Sequence, residues 1–412
     1  MKAPPFSAAA RATTRPLSMP NAMNQPLPVT VLAGLPGVGK TTLLDHLLAH
    51  HAGTSIAVVR GRIDDLSGEI NSAATESRFD AIVVEASGTD DPQLIAESLV
   101  FDNDIAHLDT IVTVVDAASF SRDYVSTDAL SERGLASDEQ SDEQDDRTVV
   151  EVLIAQVEFC DVIVINKTDL VDTEVLAKLR RILHALNPRA ELIDAHQGAV
   201  PASDLVNTDR FDFDATSSAP GWLAMLNADP DALPEFTDSD IGGFVYRARR
   251  PFHPERLWAL VHQEWPGVLR CKGFFWLATR SDIGGSLSQA GGALRHGPAG
   301  MWWAAQERSE WPTGDAELEA EIAADWYGDA DDTTIGDRRQ ELALIGTGLD
   351  ESHWRAAFDG CLVTDEEWKQ ASAGVLADPF PSWEMDEDDH DHHDHDHDHG
   401  DDCDCGAHGH SH

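Results

Sequence analysis

Gly34-Leu35-Pro36-Gly37-Val38-Gly39-Lys40-Thr41 fits the spacing G-x-x-x-x-G-K-[ST] at every position. The apolar run Val29-Thr30-Val31-Leu32-Ala33 leads into it and reads as a buried strand. Thr42-Leu43-Leu44-Asp45-His46-Leu47-Leu48 follows, with its leucines at helical spacing. Strand, glycine-rich loop and helix in this order make a phosphate cradle. Gly34, Gly37 and Gly39 let the backbone N–H groups around Val38 and Thr42 curl about an anion, and the helix N-terminus adds partial positive charge. Lys40 is then placed for the β and γ phosphates, and the Thr41 hydroxyl for Mg²⁺. A nucleoside triphosphate is the expected ligand.

Working outward, apolar β-rich runs recur at 55–59, 80–86, 110–116, 162–165 and 190–194. Helical patterns lie at 92–100, 149–159 and 173–186, and Asn187-Pro188 stops the last of them. Strands alternating with helices predict an α/β fold, a P-loop NTPase domain with a mainly parallel, doubly wound sheet over 28–210. Within it, 126–147 reads as a flexible acidic loop. Residues 211–242, rich in Asp, Pro, Ser and Ala, read as a linker with a short apolar piece at 222–226. A smaller α+β domain is expected over 243–383, with strands at 244–248, 273–278, 300–304 and 341–345. Helices are expected there over 254–265, from Asp315 and from Ser352. Residues 1–27 lack an apolar core and read as a disordered extension, not a signal peptide. Residues 384–412 read as a low-complexity tail, expected to be disordered without a ligand.

Two further segments bear on the nucleotide. Asn166-Lys167-Thr168-Asp169 follows directly on the buried run 162–165. An N-K-x-D at a strand end selects guanine, because the Asp169 carboxylate can accept from the two donors on its Watson–Crick edge. GTP is therefore expected over ATP. Between the motifs, Glu85-Ala86-Ser87-Gly88 ends a strand in an acid with glycine three residues on. That form suits a segment in which Glu85 orders a Mg²⁺-bound water and the Gly88 N–H contacts the γ-phosphate. Lys40, Thr41 and Glu85 are thus the candidate catalytic residues. No glutamine stands where one orients the attacking water, and slow turnover is expected.

The chain of 412 residues carries a formal charge of −45. Leaving aside the eleven acids from Asp386 onward and a net seven negative charges over 128–146, about −27 remains, so the acidity is general. Nucleic-acid binding would need a basic footprint and is excluded as the reading. No apolar run is long enough to span a membrane. Five cysteines in this length make no disulfide framework, and the cytoplasm is the expected compartment. Nine of the nineteen histidines (His390, His392, His393, His395, His397, His399, His408, His410 and His412) interleave with aspartates around Cys403-Asp404-Cys405. Imidazole and thiolate suit Zn²⁺, then Co²⁺ or Ni²⁺. Because the neutral imidazole and the thiolate are the binding forms, capture weakens below about pH 6.5.

With these residues assembled, the chain resembles the CobW-type GTPases. The resemblance rests on 34–41, on Glu85–Gly88 followed by Pro92, and on Asn166–Asp169. In the second domain it rests on 250–257, 273–280, 336–342 and 378–383. It implies a GTP-hydrolysing metallochaperone or metal-insertion factor, with a client metalloprotein as partner and the oligomeric state left open. Members usually carry a C-x-C-C motif between the glycine loop and the acidic strand; here no cysteine precedes Cys160, and the interval from Arg60 to Asp80 is shorter. Cys403, Cys405 and the tail histidines are the alternative place for a cargo metal. A metal-buffering protein with a regulatory nucleotide domain is the alternative function.

Overall fold

A computed structural model describes residues 26–50, 53–61, 63–76, 78–101, 106–135, 145–228 and 240–383. The readings made for residues 1–25, for the centre of the acidic loop and for the tail 384–412 lie outside the described residues.

Six runs of Val, Ile, Leu and Ala form strands: β1 (Leu27–Ala33), β2 (Ile56–Gly61), β3 (Ala81–Ala86), β4 (Ala106–Asp116), β5 (Val162–Asn166) and β6 (Glu191–Asp194). They pair in parallel in the order β2-β3-β1-β4-β5-β6. Val29, Val31, Ile82, Val83, Ile111, Val112, Ile163 and Val164 are all inaccessible to solvent. Continuous apolar runs are what a parallel sheet covered on both faces requires. The covering helices are α1 (Lys40–His50), α2 (Ile63–Thr75), α3 (Pro92–Phe101), the short α4 (Phe120–Tyr124), α5 (Val149–Glu158) and α6 (Thr173–Leu186). A capping box between Thr148 and Glu151 starts α5, and the Asp172 side chain caps α6. The chain leaves β1 toward β2 on one side and returns to β4 on the other. The crevice at the C-terminal ends of β1, β3 and β4 is therefore where a ligand is expected.

The stretch expected to be a linker is built differently over its first half. It folds as α7 (Phe213–Ser217) and α8 (Gly221–Asn227), and Met225 and Leu226 enter the core of the parallel unit. Beyond it, β7 (Ile241–Ala248), β8 (Val268–Leu277), β9 (Arg280–Ala290), β10 (Ala293–Met301) and β11 (Gln340–Thr347) form an antiparallel sheet in the order β10-β9-β8-β11-β7. Helices α9 (Pro254–Val261), α10 (Ala316–Asp325), α11 (Glu351–Cys361) and α12 (Asp365–Ser372) accompany it. Side chains alternate between its faces, as the strand period of two demands. Val245, Ala343 and Ile345 join the core of the parallel unit, while Phe244, Tyr246, Leu342 and Leu344 pack with Leu257, Trp354 and Phe358 of α9 and α11. The β9–β10 hairpin was not expected. The strand expected over 300–304 is only the last residues of β10, followed by a 3₁₀ turn at Trp303–Ala305.

Segments far apart in sequence pin one another in this second unit. Arg280 grips Asp378 through two bonds of 2.8 and 3.1 Å and donates to the carbonyls of Phe380 and Pro381. Its guanidinium lies 4.3 Å from the Trp383 ring centre. The two units meet across α5. Glu158 accepts two bonds from Arg270 of β8 at 2.6 and 3.1 Å, and both side chains are nearly inaccessible. Arg295 of β10 pairs with Glu151, and the Tyr124 hydroxyl donates to the Leu269 carbonyl.

Candidate nucleotide-binding site

The glycine loop leaves β1 with Gly34 at φ 135°, Gly37 at φ 83° and Gly39 at φ 107°, conformations that side chains rarely adopt. At Gly34 a Cβ would also run into the Val114 carbonyl of β4, and at Gly39 into the Asn166 amide. The loop is thus seated on the ends of β4 and β5 with no room for a side chain at Gly34 or Gly39, while Gly37 is required by its backbone conformation alone.

Lys40 opens α1 and folds back over the loop, its Nζ donating to the Gly34 carbonyl at 2.5 Å and reaching the Leu35 carbonyl at 3.5 Å. It is buried, and desolvation pulls its pKa below the ordinary lysine value, opposed by the carboxylates of Glu85 and Asp90. An ammonium with three donors and two carbonyl partners, placed under a ring of loop amides, fits an incoming phosphate. The neighbouring Thr41 hydroxyl donates to Glu85 Oε1 at 2.5 Å, and Glu85 Oε2 accepts from Arg60 Nε at 2.8 Å. Arg60 stands beside Glu85 because β2 and β3 pair in that register. A hydroxyl and a carboxylate side by side are the oxygen donors a hard divalent cation prefers, so the residues present fit Mg²⁺.

After β3 the chain lies directly on the loop. A Cβ on Gly88 would come within 2.5 Å of the Pro36 ring. The Gly88 and Asp90 carbonyls accept from Gln156 Nε2 of α5 at 3.1 and 3.3 Å. On the other side, Asn166 joins two loops: its Nδ2 donates to the Val38 carbonyl at 2.9 Å and its Oδ1 accepts from the Gly198 N–H at 3.1 Å. Lys167, with φ 58°, spans from the Gly37 carbonyl (2.8 Å) to Asp116 Oδ2 (2.7 Å). Asp169 is exposed, its Oδ2 3.5 Å from His196 Nε2. A cleft of about 250 Å³ beside the loop is lined in part by Leu35, Gly37, Asp116, Arg122, Asp123 and Arg133.

The residues expected at the nucleotide, Gly34, Gly37, Val38, Gly39, Lys40, Thr41, Thr42, Glu85, Gly88, Asn166, Lys167 and Asp169, therefore lie at one end of the parallel sheet, on strand ends, the first turn of α1 and the loops between them. Scans of known families match residues 28–66 and 62–194 to the CobW/HypB/UreG nucleotide-binding domain. Residues 241–362 match the cobalamin synthesis protein cobW C-terminal domain. The chain belongs to the CobW family. A relative called zinc-regulated GTPase metalloprotein activator 1, from Dictyostelium discoideum, is 33% identical over 396 residues, which is 83% of this chain and 81% of that protein. A zinc chaperone of Mycobacterium tuberculosis is 34% identical over 249 residues, covering 59% of this chain and 56% of that one. Among solved structures, the Zn(II)-bound YjiA GTPase from E. coli is 20% identical with a TM-score of 0.35, over 82% of this chain and all of that one.

Four contributors to this CobW-family site escaped the motif reading: Arg60, Asp116, Gln156 and the loop Ala195–Gly198. Asp116 had a signal, an acid closing the apolar run of β4. Gln197 and Gly198 adopt φ 51° and 69°, and the sequence there carries no motif that marks them. Among the described residues, no group of three or more His, Cys, Asp or Glu is placed to hold a metal ion. Burial pushes the thiols of Cys160 and Cys271 up to about 12 and that of Cys361 to about 11. The tail donors, from His390 to His412 with Cys403 and Cys405, lie outside the described residues. No described helix is long and apolar enough to cross a membrane.

Proposed function

We propose that this CobW-family GTPase uses GTP binding and hydrolysis to deliver a transition metal, zinc first and cobalt or nickel next, to a client metalloprotein. The observation that carries the nucleotide half is the convergence of Lys40, Thr41 and Glu85 at one end of the glycine loop with Asn166, Lys167 and Asp169 at the other. In this reading Lys40 neutralises charge on the phosphates, and Thr41 with Glu85, through water, holds Mg²⁺, which supplies further charge neutralisation there. The Gly88 N–H faces the γ-phosphate, and Asn166 and Lys167 shape the loop that Asp169 uses on guanine. Residues 28–210 act as the GTPase unit and 243–383 as the partner unit. The metal half is supported by the nine histidines and two cysteines of the tail and by relatives named for zinc.

Asp169→Asn gives the guanine test. Two charge-assisted bonds are lost or inverted, each contributing about 1.5 kcal/mol or more. GTP affinity is expected to fall on the order of a hundredfold. Xanthosine triphosphate, which presents a carbonyl in place of the amino group, is expected to gain. Equal affinity of wild type and variant for GTP would remove Asp169 from base recognition. For the tail, zinc titration of full-length protein against a 386–412 deletion is expected to show fewer sites in the deletion; unchanged stoichiometry would remove the tail from the mechanism.

The second reading is a metal buffer with a regulatory nucleotide domain. It is favoured by one sequence fact, that no cysteine precedes Cys160 to place a thiolate metal beside the nucleotide. GTP turnover measured with and without zinc separates the two, because a buffer needs no metal-dependent rate.

A further inference from the structure

We infer that Gln156 is a positioning residue for GTP hydrolysis: it holds the segment after Glu85, and α5 carries that segment's state to the antiparallel sheet. The inference rests on the role proposed above for Glu85–Gly88.

Gln156 is completely buried in the last turn of α5, between Ala155 and Val157. Its Nε2 bonds two carbonyls of the segment, Gly88 and Asp90. Since both partners are acceptors, the amide orientation is fixed, and Oε1 is left buried without a hydrogen-bond partner. A buried acceptor left unmatched disfavours the arrangement that leaves it so. An arrangement of the segment that turns one N–H toward Oε1 satisfies it, so the side chain is built to serve two states of the segment.

The helix that carries Gln156 is anchored at both levels. The Thr113 hydroxyl of β4 donates to the Gln156 carbonyl at 2.5 Å, tying α5 to the sheet at this very residue. Two residues on, Glu158 accepts the buried pair of hydrogen bonds from Arg270 of β8, and Glu151 on the preceding turns pairs with Arg295 of β10. A ten-residue helix shifts as one body, so displacement at Gln156 is displacement at Glu158.

The test compares full-length wild type with Gln156→Met, which keeps the volume and removes both donors. Three quantities are read: kcat and KM for GTP, affinity for GDP, and hydrogen exchange over 268–277 with GDP against a non-hydrolysable GTP analogue. The expected result is a kcat lowered about ten- to hundredfold, as for other misplaced catalytic geometry. GDP affinity should stay within about twofold, since GDP makes no γ-phosphate contact with the segment. The nucleotide dependence of exchange at 268–277, present in wild type, should vanish. Retained kcat with a retained exchange difference overturns the inference, as does an equal loss of GDP affinity and kcat, the pattern of a merely structural residue. A wild type whose exchange at 268–277 ignores the nucleotide overturns the relay. Gln156→Asn, whose shorter amide cannot span the gap, carries the same expectations if the Met variant does not fold. Glu85→Ala separates the two levels: full turnover in that variant overturns the proposed site itself, whatever Gln156 does.

Discussion

Lys40→Met is expected to stop GTP turnover and, in the nucleotide-free protein, to raise thermal stability. The two effects share one cause. Lys40 is an ammonium buried at the foot of the loop, and among the described residues its hydrogen-bond partners are the Gly34 and Leu35 carbonyls. Desolvation lowers its pKa from 10.5, and the attraction of Glu85 and Asp90 does not make up the difference. The sign follows from proton linkage. A lysine that holds its proton less tightly when folded costs stability at neutral pH, and the cost is relieved as pH rises toward 10.5. Methionine removes that cost. It also removes the charge that stabilises the phosphates as they separate, and loss of one such preorganised group costs roughly 10²–10³ in rate. The measurements are GTP turnover and the melting temperature without nucleotide, both repeated at pH 9. Turnover within threefold of wild type would rule out the proposed role of Lys40. A lower melting temperature at neutral pH would show that its carbonyl bonds outweigh its burial.

The other large effect is structural and lies at the meeting of the two units. Arg270→Met should destabilise the protein by about 3–5 kcal/mol, because it leaves the Glu158 carboxylate buried without its partner. For units of this size that corresponds to a fall in melting temperature of roughly 10 °C. Burial alone lowers the Arg270 pKa, but the charge and hydrogen bonds of Glu158 more than reverse this, so the guanidinium holds its proton more firmly than usual. The loss should shrink as pH falls, because a stranded buried carboxyl takes up a proton more readily when folded than when unfolded. Combining it with Glu158→Leu should recover most of the stability, since apolar pairs of similar volume replace buried ion pairs at little cost. If the single variant melts with wild type, the ion pair is not what joins the units. If the double variant is no better than the single, the loss is one of packing.

The parallel sheet and its ligand end were legible because each feature there has a local cause. Buried parallel strands must be apolar along their whole length, so β1 and β3–β5 stand out as runs of Val and Ile. The glycine loop is constrained by its own backbone. The β9–β10 hairpin was not legible, for a reason that lies outside it. Gly284 is covered by the Trp302 ring and Gly285 by the Phe275 ring, so a Cβ at either would press into an aromatic face. Nothing local in the sequence explains those glycines, because what requires them is a ring from elsewhere lying over the strand. Residues 211–242 read as linker for the same reason: Asp, Pro, Ser and Ala dominate locally, while the packing of Gly221 on the Ala185 carbonyl is decided by α6. Gln156 carries no motif at all, and only the approach of Gly88 and Asp90 gives it partners.

The placement of the cysteines has a practical corollary. Cys160, Cys271 and Cys361 are enclosed in the cores, and each holds its proton far into the alkaline range. A thiol that stays protonated neither attacks an electrophile nor ligates a soft cation. The three buried thiols are therefore expected to be silent toward maleimide at neutral pH, which leaves Cys403 and Cys405 as the expected sites of labelling in the native protein. A metal held by those two thiols would protect them from the reagent, so labelling with and without zinc would report whether they hold it.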